Sequence, residues 1–136
     1  MLRIELPMPP HDNHHYTIAR GRKILSNESR AYAEQVAWLA ISMRTKGELP
    51  REPLTEKLKA TVLVIHPDKR RRDILNFQKA LWDSMQKAEI IKDDSQLDDV
   101  RVIRGITDGE AMVIVTMHEI PDLVLTVDEM RKQGLV

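Results

Sequence analysis

Between Asp68 and Leu97 the chain reads DKRRRDILNFQKALWDSMQKAEIIKDDSQL. Four cations run in succession from Lys69 through Arg70 and Arg71 to Arg72, and Asp73 follows at once. A helix-like segment then leads to two more acids, Asp93 and Asp94. Clustered cations meet phosphates together, and each neutralised phosphate releases counterions. One or two carboxylates, completed by water and phosphate oxygens, make the shell that magnesium prefers. The pattern points to a surface that holds a phosphate backbone beside a divalent ion. Within it Lys79 can steady a phosphate or a leaving oxygen. Asn76 can place a water or bond a carboxylate.

Each feature has a plainer alternative. Asp73 precedes an apolar-periodic run and suits a helix N-cap. The run Lys69–Arg72 can be a solvated charge cluster. Asp93 and Asp94 can be turn residues.

The elements that must position these groups follow from periodicity. Residues 2–6 alternate like a short strand, ended by Pro7, Pro9 and Pro10 and followed by a polar loop. Residues 17–25 suit a hairpin around Gly21. A helix follows, capped by Ser26 or Asn27, with Ala33, Val36, Ala40 and Met43 at helical spacing. Residues 46–58 hold Gly47, Pro50 and Pro53 and read as a loop. Residues 59–66 form a β-branched strand, stopped by Pro67. Residues 74–88 read as a second helix, capped by Asp73, with Ile74, Phe77, Leu81, Met85 and Ala88 on its core face. Residues 100–104 and 111–118 are two more strands, joined through Thr107–Gly109. The tail 119–136 carries a short helix near Asp128–Lys132. The expected class is α+β, a small mixed sheet with two main helices packed on it.

A helix of 15 residues is about 22 Å long. Asp93 and Asp94 therefore cannot meet Asp73 along that axis. Either the fold returns them beside the sheet or a second subunit supplies them.

The chain's 136 residues suit one domain. It has no cysteine, which excludes disulfides and thiolate metal sites. MLRIELPMPP lacks the apolar run of about 7–15 residues of a signal peptide. No stretch approaches the roughly 20 apolar residues of a membrane span. A soluble, cytoplasmic protein is expected. Net charge is zero, yet residues 1–79 hold 15 Lys/Arg against 9 Asp/Glu, and residues 80–136 hold 6 against 12. That asymmetry favours a polyanion-facing surface, although surfaces are also uneven by chance. His11, His14 and His15 match no standard zinc spacing and read as a polar loop. His66 and His118 end strands and read as structural, and Trp38 as core or interface. The aromatic content of 4% is low for a stacking single-strand binder.

Taken together, Pro7, Pro9, Pro10 and Asn13, then the run Arg70 to Lys79, then Asp93–Asp94 before a β-branched strand, resemble the RusA family of Holliday junction resolvases. The likeness covers roughly residues 2–118, with 119–136 as a C-terminal extension. It implies a homodimeric, magnesium-dependent endonuclease that binds four-way DNA junctions and makes paired symmetric nicks. By that resemblance Asp73, Asp94, Asn76 and Lys79 are catalytic, and Asp73, Asp93 and Asp94 bind metal. Lys69, Arg70, Arg71 and Arg72 contact DNA, with Asn13 and Tyr16 near its backbone. One position departs from the family pattern. Leu75 stands where a second acid is usual, and leucine cannot bind a hard cation. Leu75 lies seven residues before Trp82, which places the two on one helix stripe, open to a subunit contact. Two rivals to a cutting enzyme follow: a junction-binding protein that does not cut, and a plain interaction domain with an uneven surface.

Overall fold

The computed structural model describes residues 1–121 and 125–136. A four-stranded sheet is built from β1 (Leu2–Pro7), β4 (Leu58–His66), β5 (Leu97–Ile106) and β6 (Met112–Glu119), in the order β1-β6-β4-β5. β6 pairs antiparallel with β1 and β4, and β4 pairs parallel with β5. β1 and β5 lie at the two edges. β2 (Tyr16–Ala19) and β3 (Arg22–Leu25) form a separate hairpin. Its turn residues Arg20 and Gly21 have φ of 53° and 72°, the left-handed pair that a two-residue hairpin turn requires. The α+β class is thus as expected.

Two helices, α1 (Asn27–Thr45) and α2 (Gln78–Lys87), pack on one face of the sheet. α1 starts where the sequence places it, because the Ser26 side chain accepts the Ser29 N–H at 3.1 Å. Its buried stripe is Tyr32, Val36 and Ala40 with Ser29, so Tyr32 rather than Ala33 leads it. Burial pushes the Tyr32 phenol well above its usual pKa, and its hydroxyl donates to the Pro7 carbonyl at 2.8 Å. Strand alternation supplies the other half of the core. Leu58, Ala60, Val62 and Val64 of β4 meet Ile4, Leu6, Val113, Val115 and Met117 beneath Leu81 and Met85 of α2.

Parallel strands need a crossover, and α2 provides it between β4 and β5. That connection carries the basic run on its way in and Asp93–Asp94 on its way out. α2 is shorter than expected. Residues 74–77 form turns rather than a helix, so α2 has 10 residues and spans about 15 Å. In the tail, α3 (Val127–Lys132) is capped by Thr126, while residues 122–124 lie outside the described residues. Among the described residues no helix is long and apolar enough to cross a membrane.

Candidate nucleic-acid interface and acidic site

The basic run leaves the end of β4 and is organised by an acid that the sequence reading passed over. Asp68 accepts Arg72 Nη1 at 2.7 Å and the Arg70 backbone N–H at 2.9 Å. The Arg70 guanidinium lies 3.5 Å from its second oxygen. The Arg72 hydrogen bond, with the Arg70 N–H, pulls the Asp68 carboxyl down to a pKa of about 2. Arg104, from β5, donates to the Arg72 carbonyl at 2.9 Å. Parallel pairing of β4 with β5 brings this fifth cation beside the run. Lys69 and Arg71 are exposed.

Asp73 is not a helix cap. Its carboxylate accepts the Leu75 N–H at 2.9 Å and the Asn76 amide at 2.8 Å, a local Asx turn before α2. The cap of α2 comes from far away. Asp12 accepts the Lys79 N–H on its side chain at 3.1 Å, and its own N–H donates to the Asn76 carbonyl at 2.6 Å. Asp12 lies in a short 3₁₀ turn, Asp12–His14, which also presents Asn13 to solvent. Tyr16, 38% exposed, follows this turn. The amines of Lys23 and Lys79 sit 4.3 and 5.8 Å from its ring centroid. One end of α2 therefore gathers Asn13, Tyr16, Asp73, Asn76 and Lys79, with the basic run alongside.

Asp93 and Asp94 stand at the other end. Asp93 caps a 3₁₀ turn, Asp94–Gln96, and the Asp94 N–H reaches Gln86 Oε1 at 3.0 Å. The turn is stiff. The buried Gln96 side chain accepts the Lys92 and Asp93 N–H groups and donates to the Leu54 and Glu56 carbonyls, each at 2.8 Å. Partial desolvation raises the Asp94 pKa, helped by the charges of Asp93 and Asp83. The Ser95 hydroxyl, donating to Asp93 at 2.6 Å, lowers that of Asp93.

Asp83 is a further acid missed by sequence reasoning, although it lies four residues after Lys79 and so on the same helix face. It is bonded to His15 Nε2 at 2.8 Å, while His15 Nδ1 meets the Ser29 hydroxyl at 2.7 Å. His15 is fully buried, so it locks the hairpin root to both helices. The loop histidines thus include one structural member rather than being uniformly polar surface.

Two other expectations are corrected. Leu75 is 59% exposed on a turn while Trp82 is buried at 6%, so they share no helix stripe. Of the two places expected for Trp38, core or interface, its 66% exposure removes the core. His66 lines a cavity beside Asp73, and His118 is exposed.

Among the described residues no group of three or more His, Cys, Asp or Glu is gathered to hold a metal ion. Asp73 at one end of α2 and Asp93–Asp94 at the other each offer the one or two carboxylates that a largely hydrated magnesium accepts. Neither closes a cage.

A sequence profile of the family described as Endodeoxyribonuclease RusA matches residues 7–118. A crossover junction endodeoxyribonuclease of Enterobacteria phage 82 is 39% identical over 101 residues, covering 74% of this chain and 80% of that protein. The Escherichia coli K12 protein of the same description is 38% identical over the same shares. Its counterpart in E. coli O139:H28 is 33% identical over 119 residues, covering 88% of this chain and 95% of its own.

Proposed function

Because the chain belongs to the RusA family of endodeoxyribonucleases, we propose that it is a crossover junction nuclease. It binds four-way DNA and resolves it by paired symmetric nicks, in recombination and repair, in the cytoplasm. The observation that carries this reading is the meeting of a five-cation surface with Asp73 and Lys79 at the start of α2.

In this reading Lys69, Arg70, Arg71, Arg72 and Arg104 bind the phosphate backbone, and Asn13 and Tyr16 touch it from the loop. Asp73, held by the Asn76 amide, would ligate magnesium, as would Asp94 with Asp93. The ion, when bound, activates water and neutralises charge on the scissile phosphate. Lys79 steadies the phosphate or the leaving oxygen. The two ends of α2 lie about 15 Å apart, which favours a homodimer whose subunits bring complementary acids together. Two-fold symmetry also matches the two equivalent strands of a junction.

Leu75 favours a second reading, a junction-binding protein that does not cut. Its side chain adds no oxygen beside Asp73, where the family pattern has one. An end-labelled four-way junction incubated with and without magnesium, resolved on a denaturing gel, separates the two. Symmetric nicks support the nuclease; a retarded but uncut junction supports the binder.

A further inference from the structure

A cavity of about 330 Å³ opens directly beside Asp73. Its apolar lining is Met8, Pro9, Val64 and Phe77, and His11 and His66 also line it. Arg72, Asp73 and Asn76 complete the lining. The cavity therefore combines apolar walls with side chains that can hydrogen-bond, and Val64 and Phe77 among the walls are buried. Burial and the charges of Arg72 and Arg104 lower the His66 pKa, against the Asp68 carboxylate, which raises it.

We propose that this cavity receives a single unstacked nucleobase from the crossover, next to the phosphate presented to Asp73. The inference rests on the junction-binding reading above. A flat aromatic heterocycle matches the chemistry of the interior: apolar side chains for its two faces, polar groups for its edge. Such sites bind bases drawn out of the stack by exactly this division of contacts in enzymes that act on nucleic acids. The volume lies at the small end of ligand pockets, which suits one base and excludes a base pair. The cation run holds the backbone, so the base that enters is the neighbour of the bound phosphate. Branch-point bases are the least costly to unstack, which couples junction structure to the choice of phosphate. The polar lining then supplies a preference among bases that a run of lysine and arginine on phosphates cannot supply.

The test uses four-way junctions carrying 2-aminopurine at each crossover position in turn, bound to the full chain without divalent ion. Fluorescence at one position is expected to rise about threefold or more as stacking is lost, and to be shielded from acrylamide. Met8→Phe and His66→Phe each add bulk to the cavity lining without adding a quenching indole, and are expected to cut that rise by at least half. Thermal melting identifies whichever of the two folds better. A retarded junction with unchanged fluorescence at all positions would overturn the pocket alone. A rise left intact by a folded filling variant, or freely quenched by acrylamide, would also overturn it. Loss of junction binding at low salt would remove the reading on which the pocket rests, and the pocket with it.

Discussion

The Asp12 carboxylate accepts the Lys79 backbone N–H at 3.1 Å across 67 positions of sequence. The N-terminus of α2 is thus capped by the loop that follows β1 rather than by its own preceding residues. Asp12→Ala should cost about 1 kcal/mol of stability, the ordinary value of a lost cap, measured by urea denaturation. It should also weaken cleavage or junction binding through Lys79. An unchanged denaturation midpoint would show that the cap contributes nothing.

Asp73 and Leu75 make opposite predictions about the same turn. Asp73→Asn keeps the Asx geometry and removes a charge. It should leave junction retardation intact and lower nicking by more than about 100-fold, since losing even an outer partner of a metal ligand costs up to that much. Leu75 is exposed, so Leu75→Asp should fold normally, lower the magnesium concentration needed for half-maximal cleavage and raise the nicking rate. Equal rates for wild type and Leu75→Asp would show that this position does not limit the chemistry.

Lys69, Arg70 and Arg71 are the exposed members of the basic run, and of these Arg70 is paired with Asp68, which makes Lys69 and Arg71 the simpler test. If each meets one phosphate, each alanine substitution lowers the slope of log affinity against log salt by about 0.9. Fluorescence anisotropy on a four-way junction across a salt series gives this directly. A fall in affinity with the slope unchanged would mean that these cations act elsewhere.

Asp68 supplies the pH dependence. Its carboxyl is held at about 2, below the ordinary 3.8, chiefly by Arg72. The unfolded chain therefore binds more protons between those values. The contribution of this contact is complete above pH 3.8 and is lost as pH falls through about 2. Carboxyl chemical shifts of Asp68 should show a midpoint near 2, moving toward 3.8 in Arg72→Ala. A wild-type midpoint at the ordinary value would refute the pairing.

His15 is the remaining point of control. It is buried and bonded on both ring nitrogens, so His15→Ala leaves Ser29 and Asp83 without their partner. The expected loss is about 1–3 kcal/mol. A double-mutant cycle with Asp83→Ala should show coupling of about 0.5–3 kcal/mol; additive effects would argue against a working contact.

What could be read in the sequence was what is local. The Ser26 cap, the alternation of β1, and the turn at Gly21 depend on neighbours within a few residues, and all three stand in the structure. The start of α2 was misplaced because its cap lies 67 positions away. A 3.6-residue stripe through Leu75 presumed a helix that begins only at Gln78. Arg104 reaches the basic run through parallel strand pairing, and Asp83 finds its partner through the hairpin root; neither contact leaves a trace in spacing. Asp68, passed over in the sequence, organises the basic run because the bend after His66 lets it meet Arg70 and Arg72 at once.

Among the described residues, the sheet order leaves β5 with one side unpaired along ten residues. Such an edge is a template on which another chain's strand can grow. Here the template is blunted by its own side chains: two acids, Asp98 and Asp99, are followed by two cations, Arg101 and Arg104, and Lys57 and Lys59 stand 3.7 and 4.0 Å from the two acids. An arriving strand would have to desolvate these charges to reach the free N–H and C=O groups. Arg104, which joins β5 to the basic run through the Arg72 carbonyl, is one of the charges that such a strand would meet.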